Sequence, residues 1–177
     1  MIALSAVAGA LVGALVAFAF FSATSSGEHN TFTAAAVDHI AISPASASIT
    51  AGGSQSYSVT AFDVSNSSFG DVTSSTSFSI SPDGSCTANS CTATVSGPHT
   101  VTATFWGLTT TAALTVNPSA ATHLAFTQSP SNSAAATVFA SQPQVAVEDQ
   151  FNNIVTTSSA SITLAINTQP ASGGVLS

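Results

Sequence analysis

Not one of the 177 residues is a lysine or an arginine. Nucleic-acid binding relies on those cations to neutralise phosphates, so it is excluded. Electrostatic docking on anionic lipid is excluded for the same reason. A Walker-type phosphate loop would lack its lysine, and a Lys–Asn isopeptide cross-link has no donor. Acidic residues are also scarce. The 7 Asp and Glu give a net charge of −7, and charged residues make up 4% of the chain, against about 25% in an ordinary soluble domain. Seven carboxylates do not make an acidic shell, so solubility falls to Ser, Thr, Asn and Gln. A long 3.6-residue apolar stripe is absent beyond residue 22. There is no G-x-S-x-G elbow, no carboxylate pair suited to glycoside hydrolysis and no D-x-D-x-D-G loop. The chain is therefore expected to be no enzyme and to need no cofactor, with weak Ca²⁺ binding as the one alternative.

What is present favours strands. Ser, Thr, Ala and Val dominate, and β-branched Thr and Val suit a pleated, half-buried surface. Apolar and polar residues alternate: Ile40 with Ile42, then Tyr57, Val59 and Ala61. The same period recurs in Phe78 with Ile80, in Val101, Ala103 and Phe105, and in Leu114 with Val116. Period two means strands with one buried face. Between them stand the turn signals "AGGS", "SPDGS" and "WGLT". Short strands with a turn every 8–12 residues or so predict an all-β sandwich.

The N-terminus differs from the rest. Residues 2–21 carry no charge and one polar residue, Ser5. Such a run is long enough to span a bilayer as a helix. Ala17-Phe18-Ala19 supplies a small-x-small site, which predicts cleavage between Ala19 and Phe20. The basic n-region of a signal peptide is missing, so Met1 is open to question as the start. An uncleaved membrane anchor is the alternative. Behind the site, Phe20, Phe21 and Ser22, then Asn30, Thr31, Phe32, Thr33 and Ala34, resemble the mature start of camelysin-like and TasA-like biofilm-fibre proteins. Ala23 replaces their usual Asp and Ala35 their usual Gly. This resemblance implies export and processing, and it covers about 25 residues.

The body repeats. "VDHIAIS" at 37–43 matches "ATHLAFT" at 121–127, "VTAFD" at 59–63 matches "VAVED" at 145–149, and "VTSSTSFSI" at 72–80 matches the stretch from Val155. Three blocks in one order at a period of about 84 residues mark a duplicated module with small loop indels. The Ile-x-x-Ser-Pro opening, Gly52-Gly53, the Val-Thr-Ala-x-Asp block and the closing Leu-Thr-Val strand resemble bacterial immunoglobulin-like (Big-type) surface-protein repeats. The organisation expected is 1–19 signal peptide or membrane anchor and 20–36 polar linker. Residues 37–118 then form an Ig-like sandwich, and 119–177 a second one that is C-terminally incomplete and less ordered than the first.

Few residues invite a specific role. Cys86 and Cys91, in an exported chain, are expected to form a disulfide closing a short loop between strands. Asn66-Ser67-Ser68 is an N-glycosylation-type sequon. Trp106 adjoins Phe105 near a strand end, where only one of two neighbours can face the core. The other is a candidate contact for a ligand. His39 and His123 share a repeat position, as do Asp63 and Asp149. For the aspartates, turn formation competes with interdomain Ca²⁺ binding, and turn formation is preferred. The expected function is a secreted or cell-surface stalk or adhesion module, with a surface protein, matrix protein or carbohydrate as partner. A membrane would be met only through the N-terminal segment. Alternatives are a biofilm-matrix fibre subunit, or spacer modules of an extracellular polysaccharide-acting enzyme.

Overall fold

The structure, a computed structural model, describes residues 36–134 and 137–165. The hydrophobic segment, the Ala19/Phe20 site and the linker up to residue 35 lie outside them. The described chain is all-β, broken by one short 3-10 turn at Thr73–Ser75. No helix among the described residues is long and apolar enough to cross a membrane. The chain divides into two compact units at Asn117 and Pro118.

Among the described residues the first unit holds ten strands: β1 (His39–Ser43), β2 (Ser46–Thr50), β3 (Ser54–Ser56), β4 (Ser58–Phe62), β5 (Ser68–Asp71), β6 (Ser77–Ser81), β7 (Ser85–Thr87), β8 (Ser90–Thr92), β9 (Gly97–Phe105) and β10 (Leu108–Asn117). They form a sheet in the order β1-β4-β5, a larger one in the order β2-β10-β9-β6, and a small one in the order β3-β8-β7. All pairings are antiparallel except β2 with β10, which run parallel. The alternating residues of both larger sheets meet inside. Val59, Ala61, Val101 and Ala103 are fully enclosed, and Ile40, Ile42, Ile49, Leu114 and Val116 are buried with them. Each larger aliphatic side chain so placed contributes about 1.5–3 kcal/mol relative to exposure.

Turn chemistry fixes the register. β9 and β10 pair Phe105 with Leu108, leaving Trp106 and Gly107 as a two-residue loop. Both have positive φ, 48° and 86°. That is the signature of a type I′ turn, whose twist matches the flanking strands. Gly84 turns the chain between β6 and β7 at φ 107°, where a Cβ would run into the Thr92 carbonyl. Only glycine fits there.

The second unit holds β11 (Ala121–Gln128) and β12 (Gln144–Asp149), paired antiparallel. Four of its rungs repeat those of the first unit, before a bulge brings Gln128 rather than Thr127 opposite Gln144. His39 opposite Phe62 becomes His123 opposite Glu148, and Ile42 opposite Val59 becomes Phe126 opposite Val145. The closing rung Phe62 to Ser68 returns as an isolated bridge from Glu148 to Ile154. One step later, the turn bond from Ser75 N–H to the Val72 carbonyl returns as Ser158 to Val155. The spacing between those two features has shrunk. Three fewer residues separate them in the second copy, where the pairing of β5 is reduced to the bridge at Ile154 and the bond from Val155 N–H to the Val147 carbonyl at 2.8 Å.

The two copies also differ in cover. Ile40 and Ile42 are 6% and 8% exposed, whereas Leu124 and Phe126 at the same rungs are 54% and 60% exposed. Residues 161–165 carry the alternation of β6 but enter no ladder. Among the described residues, β6 of the first unit pairs with β9 alone, and no second copy of β9 occurs.

Candidate functional site

The most tightly built polar feature is an aspartate turn present in both units. In the first, Asp63 Oδ1 accepts the N–H groups of Ser65 and Ser67, both at 2.8 Å. In the second, Asp149 Oδ1 accepts Phe151 and Asn153 N–H at 2.8 and 2.9 Å, while Oδ2 accepts Ser119 N–H at 2.8 Å and the Asn153 side-chain amide at 3.0 Å. Asn66 and Asn152 take the left-handed position in the two turns, at φ 61° and 66°. Asparagine tolerates that conformation well. Asp149 is fully enclosed. Burial opposes its ionisation, yet the Asn153 amide and the N–H groups of Asn153, Ser119 and Phe151 outweigh it and hold the carboxyl far below the usual carboxylate range. With these donors turned onto it, the carboxylate serves the turn. Among the described residues, no group of three or more His, Cys, Asp or Glu side chains is disposed to hold a metal.

A recess of about 440 Å³ opens beside the first unit's 3-10 turn, lined by Asp71, Thr73, Ser74, Thr76, Ala88 and Asn89. Asp71 Oδ1 accepts Thr73 N–H at 2.7 Å. The Thr73 hydroxyl and then its N–H hold the Asp71 carboxyl below its ordinary value. The same Thr73 hydroxyl accepts Val59 N–H at 2.8 Å, tying the recess wall to the core strand. Asn89 braces the other side, its amide donating to the Tyr57 carbonyl at 2.7 Å. The Tyr57 phenol is buried, which pushes its pKa up. The lining offers hydroxyls, an amide and one carboxylate, but no base or nucleophile pair.

Cys86, Cys91, Asn66 and Trp106 are scattered over the first unit. Cys86 and Cys91 face each other across β7 and β8 and form a disulfide, with Cα atoms 4.0 Å apart. Cys91 is fully enclosed. Asn66 sits exposed in the loop between β4 and β5. Phe105 ends β9 facing inward at 2% exposure, while Trp106 in the turn is 50% exposed. Their rings stack with centroids 4.2 Å apart. One face of the indole therefore rests on the core aromatic. Ala19 and Phe20 lie outside the described residues.

Sequence reasoning missed one pair. His99 is buried and its Nε2 lies 2.6 Å from Asp83 Oδ1, with Nδ1 3.2 Å from the Gly97 carbonyl. The pair ties the β6–β7 turn to β9. A histidine at an inward position of the alternating run "HTVTATF" was the available signal. The repeat-related histidines make different contacts: His39 stacks on Phe62 with centroids 5.2 Å apart, and His123 Nε2 lies 3.3 Å from a Glu148 carboxylate oxygen.

No family model matches the chain, and no curated protein matches it. Among solved structures it is similar to parts of surface layer protein SbsC. With the structure of domains 4-9 it shares 17% identity at a TM-score of 0.35, over 71% of this chain and 22% of that one. With domains 1-6 the identity is 17% and the TM-score 0.34, over 68% of this chain and 17% of that one. With domains 5-6 the values are 19% and 0.33, over 68% and 66%. The chain thus spans about a fifth of the length of the larger structures it matches.

Proposed function

We propose that this chain is a repeat-built, non-catalytic part of an exported surface protein, with Ig-like β-sandwich modules acting as a stalk or adhesive spacer. One observation carries the reading: the same ladder register and the same aspartate-locked turn recur in both units. A chain that repeats a rigid module gains reach and spacing without gaining an active site. The Cys86–Cys91 disulfide supports an oxidising location. A surface without Lys or Arg offers trypsin no cleavage site, which suits an exposed stalk.

The test is surface labelling of cells that make the protein. Antibody against the first unit should stain intact cells. Proteinase K should remove the signal and trypsin should leave it. Cys86 and Cys91 should react with a maleimide only after reduction. A chain confined inside intact cells with both thiols free would overturn the reading.

A further inference from the structure

Asn66 is the one asparagine of the chain followed two places on by a Ser or Thr with no proline between. Asn117 has Ser119 at that spacing, but Pro118 intervenes. Asn66, Ser67 and Ser68 are all exposed, in the loop that leads from β4 into β5. The loop holds Asn66 by its backbone. Its N–H donates to the Asp63 carbonyl at 3.0 Å, and the flanking Ser65 and Ser67 N–H groups donate to Asp63 Oδ1, both at 2.8 Å. The Asn66 carboxamide takes part in none of these bonds and has no protein partner among the described residues. Turn chemistry accounts for an asparagine here, as it does for Asn152. It does not account for the hydroxyl two places on, since Ile154 stands at the matching rung of the second unit.

A second observation concerns the strand that this loop opens. Among the described residues β5 pairs with β4 alone, so its other side is a free edge of the β1-β4-β5 sheet. A free edge invites pairing with another chain, and proteins commonly guard such edges with lysine. This chain has none. Asp71 puts a charge at the far end of β5, but residues 64–70 carry no charge and Val64 is exposed. In the second unit the pairing of β5 is reduced to a bridge at Ile154, Asn152 has no hydroxyl residue two places on, and the Asn153 amide is buried against Asp149. The sequon therefore stands in the copy that has the edge strand, and not in the copy where that strand is reduced.

We infer that Asn66 carries an N-linked oligosaccharide that shields the head of the β5 edge. The inference rests on the exported reading above, because such modification marks the surface loops of secreted proteins. The donor class is an oligosaccharide carried on a polyprenyl diphosphate. In the transfer, Asn66 Nδ2 bonds to the anomeric carbon of the sugar. The bond from that carbon to the diphosphate oxygen breaks, the lipid diphosphate leaves with the electron pair, and Nδ2 gives up one proton. The product amide keeps its carbonyl and one N–H, and the backbone bonds of the turn are untouched. A bulky, solubilising group at this place blocks the approach of a second strand. It also adds solvation to a chain in which charged residues make up 4%.

The test is mass analysis of the full chain taken from cells that make it, with surface and internal fractions separated. Chymotrypsin cuts after Phe62 and Phe69 and releases residues 63–69. That peptide should carry added hexose or N-acetylhexosamine mass on Asn66, and the peptide holding Asn152 and Asn153 should not. Ser68→Thr keeps the sequon and should keep the added mass. Ser68→Ala keeps Asn66 and its turn, and should lose the added mass. In light scattering over a concentration series, the bare Ser68→Ala chain should self-associate at a several-fold lower concentration than Ser68→Thr. The state of Cys86 and Cys91 reads export separately from the glycan. A surface chain with the disulfide formed and Asn66 bare would overturn this inference and leave the exported reading standing. An internal chain with free thiols and a bare Asn66 would overturn both. Added mass surviving in Ser68→Ala, or equal self-association of the two variants, would also overturn the inference.

Discussion

Ile42 and Phe126 occupy the same rung of the same ladder in the two copies, yet Ile42 is 8% exposed and Phe126 60%. The stability contributed by a repeat position thus depends on what covers it. Ile42→Ala should destabilise the first unit by about 2–5 kcal/mol through lost burial and a residual cavity. Phe126→Ala should cost less than about 0.5 kcal/mol, in the range of surface changes. Urea unfolding followed by near-ultraviolet circular dichroism would compare them. Equal costs at the two positions would contradict the difference in cover.

The Asp149 turn sets an acid limit on the second unit. Its carboxyl pKa is depressed in the folded chain, against about 3.9 when unfolded. A depressed carboxylate contributes stability that is fully present above the unfolded value and is lost as pH falls below it. The second unit should therefore weaken progressively below about pH 4. Asp149→Asn should be less stable at neutral pH, because an amide nitrogen would face the Ser119 or backbone N–H donors, and its stability should vary less with acid. A pH series of melting curves reads both effects. An acid response as steep in Asp149→Asn as in the parent would argue against this assignment.

The disulfide between β7 and β8 closes a short hairpin. Loop-entropy arithmetic for such a loop gives about 2 kcal/mol. Reduction with dithiothreitol, or Cys86→Ala with Cys91→Ala, should lower first-unit stability by roughly that amount, and leave the second-unit transition unchanged. Two-probe denaturation resolves the two transitions. A drop in the second unit would show coupling that the separate cores do not predict.

Much of this architecture was legible in the sequence because its strands alternate cleanly. Val59, Ala61, Val101 and Ala103 were readable as core from period two alone, and each is fully enclosed. The repeat was legible too, and even its small irregularity had structural meaning. The interval before Val155 is three residues shorter than its counterpart, and the pairing of β5 is shortened there. What remained hidden depends on which strands become neighbours. The parallel pairing of β2 with β10 has no local signature. The recess at Asp71 and Asn89 joins residues whose proximity follows from β8 folding against β3.

His99 and Asp83 test the role of a buried polar contact at a turn. The imidazole is enclosed, with Nε2 2.6 Å from Asp83 Oδ1 and Nδ1 3.2 Å from the Gly97 carbonyl oxygen. Removing the carboxylate by Asp83→Ala leaves a buried ring nitrogen without its partner, at a cost of about 1–3 kcal/mol. His99→Leu with Asp83→Ala removes both sides, and an apolar residue of similar size at an inward β9 position should recover part of the loss. The double variant should therefore be more stable than Asp83→Ala alone. Equilibrium unfolding of the two single variants and the double variant gives the coupling energy directly. Additive losses would mean that the 2.6 Å contact contributes no coupling of its own, and that the β6–β7 turn is held by Gly84 and the Ser81–Thr100 rung of its ladder.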